Sequence, residues 1–271
     1  MYREIAMLND SRDRPISAAT LRRIHATLMS ALNTAVKRGL IDRNPASTVE
    51  LPRAAKPTTT AWTAEELARF LDAISDDRLH TLYLVLGLVG LRRGEAVALR
   101  WDDLDLNRGL LRVQRSAVRT GKVLIEGPPK SASGSRTVAI DDETCRRLHW
   151  HGCRQRLEVL RATGLATSPT LVFTTPQGTQ LDPTYVSRHF DRLVAKQELP
   201  RIRLHDLRHT SASIGLASGE SLVEVSRRLG HSSITVTADV YSHVAPVVAK
   251  ESAERLARQV YRSAAVSGEE Q

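Results

Sequence analysis

The 271-residue sequence predicts a mainly α-helical chain with a small three-stranded antiparallel β-sheet, an α+β arrangement. Three observations carry that reading. Apolar residues recur at helical spacing through most of the chain, the stretch from Leu110 to Ile140 switches to alternation, and capping residues, glycines and prolines punctuate both kinds of segment.

The elements follow in order. Leu21, Ile24, Leu28, Leu32, Ala35 and Val36 put one apolar stripe on a helix over Ile16–Arg38, with Ser17 as N-cap and Gly39 as stop. LPRAAKPTTTA at 51–61 has no periodicity and reads as a linker. Thr63-x-x-Glu66 is a capping box, in which a hydroxyl and a carboxylate each satisfy an N–H that helix geometry orphans; Leu67, Phe70, Leu71 and Ile74 then form one face. TLYLVLGLVG is apolar all round, as a buried helix is, and Gly90 to Glu95 breaks it before a short helix to Leu99. Leu111 and Val113, then Val123 to Ile125, then Thr137 to Ile140 are the three strands. Asp142–Thr163 is helical, LVF at 171–173 is a short edge strand, and Asp182-Pro183 starts a helix presenting Val186, Phe190, Leu193 and Val194. Helices over His205–Ala217, Leu222–Leu229 and Val247–Ala264 complete the chain before a disordered tail.

Charge narrows the partners. The 39 Lys and Arg against 30 Asp and Glu leave +9, with a pI near 10.0, which favours a polyanion. Between Arg108 and Arg136 seven basic residues meet one acidic residue, Glu126, so the sheet is a concentrated basic patch with Arg112, Arg115, Arg119, Lys122 and Arg136 as candidates to contact a polyanion such as nucleic acid. Aromatics at 4% argue against a single strand bound mainly by stacking. The longest apolar run, Leu82–Leu91, is half the roughly twenty residues a spanning helix needs. The N-terminus lacks a signal-peptide pattern, and Cys145 and Cys153 match neither CxxC nor a zinc ribbon, so a cytoplasmic protein without membrane association is expected.

Three segments stand out: GLRRGE at 90–95, HDLRHT at 205–210 and LGHSSITVTADVYSHV at 229–244. Each has an ordinary explanation alone: Arg92 as a solvated or paired arginine, His231 as a polar residue past a helix end, Tyr241 as half-buried core. His205 and His209, four apart, could hold a metal as in HExxH, a zinc-hydrolase alternative. It is disfavoured because Asp206 is one methylene shorter than the Glu base, Arg208 sets a fixed charge beside the metal, and no clear third ligand is evident.

Taken together, the segments resemble the tyrosine recombinases, the phage integrase family, from about residue 62 to the final helix. The resemblance places the catalytic set at Arg92, Lys130 (in PPKSASGSRTVAI), His205, Arg208, His231 and Tyr241, with Glu95 orienting Arg92 or a neighbour. The chemistry is coherent. Phosphodiester transfer spreads negative charge over oxygens, which two forked guanidiniums, Arg92 and Arg208, can clamp. A tyrosine hydroxyl with a pKa near 10 needs cations or a base to become a nucleophile. His205 supplies acid–base chemistry, Lys130 a proton for the leaving 5′ oxygen, and His231 a hydrogen bond to phosphate. The resemblance implies a 3′-phosphotyrosyl intermediate, a free 5′ hydroxyl, and no cofactor or metal. It implies double-stranded attachment sites as substrate, a homotetramer on DNA with the state off DNA left open, a monomer among the options, and a directionality or architectural factor.

The expected organisation is a partial helical core-binding domain at 1–50, the linker at 51–61, a catalytic domain at 62–265 and the tail at 266–271. The first part resembles the end of the family's core-binding domain, as in a shortened integrase, and its helix is expected to be marginal. The main alternative is therefore a remnant that binds DNA or partner integrases without completing recombination. A type IB topoisomerase shares the tyrosine chemistry, but its chain is longer and the flanking motifs here are integrase-like.

Overall fold

A computed structural model describes residues 16–52, 60–121, 123–129, 132–231, 233 and 257. The chain divides into two compact units, Met1–Thr58 and Thr59–Gln271. Lys122, Lys130 and Tyr241 lie outside the described residues, as do the tail and, apart from position 257, the helix expected over 247–264.

In the first unit, helix α1 (Ala18–Lys37) starts where the Ser17 hydroxyl accepts the Thr20 N–H and ends before Gly39, whose φ of 68° closes the turn. The following segment folds back on it. Asn44 Nδ2 donates to Asn33 Oδ1 at 2.7 Å, its Oδ1 accepts the Ala46 N–H at 2.9 Å, and Arg22 Nε donates to Pro52 O at 3.0 Å. No residue of α1 is buried.

The second unit is mainly helical with small antiparallel sheets. Thr63 and Glu66 form the expected capping box ahead of α2 (Ala64–Ala73), which buries Leu67 and Phe70. Helix α3 (His80–Val89) is buried at nine of its ten positions, as its continuous apolar run requires, and ends at Gly90 with φ 73°. Trp62, Phe70, Tyr83 and Phe190 pack with ring centroids 5.1–6.1 Å apart and seal the core between α2, α3 and the later Pro183–Val194 helix. The Trp62 N–H donates to Thr210 Oγ1 at 3.0 Å, tying the start of this unit to the Asp206–Ala217 helix.

Among the described residues five strands follow α4 (Arg93–Val97): β1 (Leu104–Asp105), β2 (Leu110–Val113), β3 (Ser116–Thr120), β4 (Val123–Gly127) and β5 (Arg136–Ala139). They form two sheets where one three-stranded sheet was expected. The three-stranded sheet has order β1-β2-β5, with Leu111 opposite both Leu104 and Val138. The 123–127 segment pairs instead with 116–120 as a separate hairpin turning at Gly121. The reason is compositional. Strand β3 buries only Ala117, so it lacks the apolar alternation by which a strand announces itself.

Helix α5 (Asp142–Thr163) runs from the Asp141 cap to Gly164 at φ 71°. Leu171 makes an isolated bridge with Arg100, which places the expected 171–173 edge strand beside the start of the sheet region. Helix α6 (Pro183–Val194) has Asp182 as cap and Pro183 at its first position, where a missing N–H costs nothing. Helices α7 (Asp206–Ala217) and α8 (Leu222–Leu229) follow, α8 opening with a Ser221/Glu224 capping box and closing at Gly230 with φ 67°. Among the described residues no helix is long and apolar enough to cross a membrane.

Candidate active site

Two glycines in GLRRGE permit the close approaches that the site depends on. Gly90 is left-handed, and a Cβ there would lie 2.3 Å from Leu229 Cδ2; at Gly94 it would lie 2.6 Å from the Ala117 carbonyl oxygen of the hairpin. Between them Arg92 is extended, as the N-cap of α4, and turns its side chain back to Glu95. Arg92 Nη1 donates to Glu95 Oε1 at 2.7 Å and the Arg92 backbone N–H to Oε2 at 2.9 Å. Glu95, 1% exposed, therefore orients Arg92. Burial raises its pKa, but bonds and charge from Arg136, then bonds from Arg92, outweigh this and hold it below the usual carboxylate range.

HDLRHT supplies the second arginine from α7. Arg208 is 3% exposed; its Nη1 donates to Gly90 O at 2.7 Å and its Nη2 to Leu229 O. Arg92 Nη2 donates to the next carbonyl, Gly230 O, at 2.9 Å. The LGH turn thus fastens both guanidiniums. Gly230 is confined there, since a Cβ would meet Ser133 O at 2.6 Å. His231 follows, its backbone N–H bonded to Ser226 O at 3.1 Å. His205 stands at the start of α7 with its ring edge-to-face on His209, centroids 5.4 Å apart.

The site is electrostatically unbalanced toward positive charge. Burial pushes the Arg208 pKa down to about 9, with repulsion from Arg92 added and only Glu95 opposing, yet the group stays charged at neutral pH. Desolvation within the cluster also lowers His205, His209 and His231; Arg208 and Arg92 help bring His231 to about 4. All three imidazoles are neutral at pH 7 and can accept as well as donate. Such a cluster suits an anion.

A cleft of about 840 Å³ opens beside this cluster, with Arg92, Glu95, Pro129 and His205 in its wall. A second, of about 680 Å³, is walled by Ser133, Arg136, Arg228 and His231. The Glu95–Arg136 ion pair spans between them. The structure so brings together Arg92, Glu95, His205, Arg208 and His231, from segments up to 138 residues apart. Pro129, next to Lys130, borders the first cleft.

The expected basic patch is differently disposed. Arg112 is exposed. Arg115 Nη1 donates to both carboxylate oxygens of Asp103, at 2.8 and 3.0 Å, while its Nε lies 3.7 Å from Glu126, and Arg119 pairs with Asp182. Arg136 is 7% exposed and paired with Glu95 at 3.0 Å, an interior group and not a surface contact. Carboxylates from residues 95, 103 and 182, outside the counted segment, offset these cations. Sequence reading places Arg136 among surface contacts for this reason, and misses Arg203. Arg203 grips Asp206 through Nε, Nη2 and its backbone N–H at 2.8–3.0 Å. That grip occupies Asp206, so HDxxH does not offer the free carboxylate a metallohydrolase base requires. Among the described residues no group of three His, Cys, Asp or Glu could hold a metal ion.

Comparison with known proteins places this geometry. A profile of the phage integrase family matches residues 60–247, more than half the chain. The chain is 30% identical over 258 residues to a tyrosine recombinase XerC-like protein of Caldanaerobacter subterraneus subsp. tengcongensis, covering 89% of this chain and 66% of that one. It is 29% identical over 244 residues to the ICEBs1 integrase of Bacillus subtilis, with the same coverage. The chain thus spans just under two thirds of the length of these relatives. Its fold is similar to that of the Tn1549 transposon integrase solved in complex with transposon right end DNA, with a TM-score of 0.75, 23% identity, and coverage of 89% of this chain and 80% of that one.

Proposed function

The chain belongs to the phage integrase family, and from that premise we propose that it breaks and rejoins DNA strands by transesterification at specific sites. The observation that carries the proposal is the attachment of Arg92 and Arg208 to consecutive carbonyls of one turn, next to His231 and beside a cleft that His205 borders. Two fixed guanidiniums around one point suit the nonbridging oxygens of a phosphodiester, whose transition state is stabilised mainly by preorganised charge.

In the proposed step the Tyr241 oxygen attacks phosphorus, forming a 3′-phosphotyrosyl bond as the bond to the 5′ oxygen breaks. The phenolic proton passes to His205, and Lys130 protonates the departing 5′ oxygen. His231 hydrogen-bonds the phosphate. Rejoining runs the step backwards with a 5′ hydroxyl as nucleophile, and the energy kept in the phosphotyrosine makes ATP unnecessary. The substrate is double-stranded DNA at attachment sites, and the working assembly is a homotetramer holding two duplexes, assisted by a directionality or architectural factor. We assign residues 1–50 to part of a core-binding domain, 51–61 to a linker, 62–265 to the catalytic domain and 266–271 to a tail.

A nicked suicide duplex carrying the attachment site tests this. The wild-type chain is expected to form a covalent DNA adduct that Tyr241→Phe abolishes and a chelator leaves unchanged. DNA binding with no adduct would support a binding remnant instead. Chelator-sensitive hydrolysis without an adduct would sink the assignment.

A further inference from the structure

Glu95 is one carboxylate with two guanidinium partners. Arg136 forks onto it, Nη2 to Oε2 at 3.0 Å and Nη1 to Oε1 at 3.3 Å, while Arg92 uses a single side-chain bond at 2.7 Å plus its backbone N–H. The three side chains together carry a net charge of +1. Had Arg92 been the only partner, the pair would be neutral, and the guanidinium beside the cleft would meet a phosphate with its charge already cancelled by a carboxylate at contact distance.

Exposure separates the two arginines. The Arg92 side chain is 37% exposed and Arg136 is 7% exposed, so the cation free to meet a ligand is Arg92 and the one committed to the interior is Arg136. Among the influences that keep Glu95 ionised against its burial, those from Arg136 stand ahead of those from Arg92. The remaining Arg136 bonds, Nε to Arg228 O at 2.6 Å and Nη1 to Gly134 O at 2.9 Å, lock its fork in register with the carboxylate. No surface cation would need such fixing.

We infer that Arg136 is a positioning residue for the phosphate clamp: it acts as the internal counter-ion of Glu95, so that Glu95 can hold Arg92 in place without neutralising it. This rests on the phosphodiester reading above and deepens it. The competing role is mechanical, with Arg136 merely stapling the 133–135 turn to the end of α8.

A charge-balance cycle separates the two roles, using Arg136→Gln, Arg136→Lys, Glu95→Gln and the double variant Glu95→Gln/Arg136→Gln. Two readouts are taken on the full chain: binding of inorganic phosphate by titration calorimetry, and single-turnover adduct formation on the nicked duplex with DNA affinity measured separately. Arg136→Gln is expected to weaken phosphate binding about fivefold or more and slow adduct formation about 10²-fold, with DNA affinity changed by less than about threefold. The double variant should recover about tenfold of that rate, because the uncompensated carboxylate is gone. Arg136→Lys, which keeps the charge and loses the fork, should bind phosphate within about threefold of wild type. It also carries the test if Arg136→Gln does not melt cooperatively. A double variant no better than Arg136→Gln, or an Arg136→Lys as poor as Arg136→Gln, would establish the mechanical role and overturn the inference. A wild-type chain that forms no Tyr241-dependent adduct would defeat the cleavage reading alone, leaving the phosphate titrations to judge the counter-ion.

Discussion

Arg92 and Arg208 hang from neighbouring carbonyls of a single turn: Arg92 donates to Gly230 O and Arg208 to Leu229 O. The turn exists because Gly230 ends α8 in a left-handed conformation, φ 67°. A shift there would move both guanidiniums together, which couples the end of one helix to the whole phosphate clamp.

Gly230→Ala is therefore expected to harm activity more than its stability cost suggests. The left-handed backbone alone costs about 1–2 kcal/mol with a Cβ, and the contact 2.6 Å from Ser133 O adds displacement of the turn. Urea unfolding should show that loss. Adduct formation compared at matched folded fraction should fall at least about tenfold further.

Replacing Arg208 by Lys should abolish most cleavage while retaining DNA binding. An ammonium cannot reach Gly90 O and Leu229 O together in the plane the fork uses. A loss of about 10²–10³ in single-turnover rate is expected, in the range for removing one preorganised transition-state donor. A rate within threefold of wild type would contradict the clamp.

The surface and interior arginines should separate by salt. Exposed Arg112, changed to Ala, should lower DNA affinity and reduce the slope of log affinity against log salt by about 1, leaving the melting temperature unaltered. Arg115→Ala should do the reverse. It leaves the Asp103 carboxylate, 4% exposed, without the Arg115 Nη1 that bonds both its oxygens, costing about 1–3 kcal/mol and speeding amide exchange in the β3–β4 hairpin.

Acid should destabilise the second unit through buried His151 and half-buried His231. Burial lowers both His231 and His151 to about 4 from 6.5, so between those values the unfolded chain binds more protons than the folded one. Stability is then full above about pH 6.5 and is lost as pH falls toward 4. For His151, whose Nε2 is bonded to Val172 O at 2.8 Å, the loss is on the order of 2 kcal/mol; His151→Gln should flatten the urea midpoint between pH 7 and 5. Inorganic phosphate, by raising the His231 pKa, should shift the acid transition downward. An unchanged transition in phosphate would count against anion binding beside His231.

Local features were legible from the residues alone. The Thr63–Glu66 box, the Asp182 cap and the stops at Gly90 and Gly230 each depend on interactions within a few positions, so the helix ends they mark could be placed from sequence. The hairpin was not. Its β3 strand buries one residue, so periodicity could not announce it, and residues 123–125 were assigned to the wrong ladder. The reach of the basic patch was overstated for a similar reason, since charge counted along a segment ignores carboxylates that folding brings from elsewhere.

By itself the sequence, through its resemblance to the phage integrases, nominated Arg92, His205, Arg208 and His231 for phosphoryl chemistry, with Glu95 one helical turn from Arg92. Only the tertiary structure decided how the charges are distributed among them. Arg136 lies 41 residues from Glu95, and no periodicity relates the two. Their pairing follows from the β5 strand and α4 meeting around the end of α8, where a buried carboxylate must find its counter-ion from whatever the fold brings within reach.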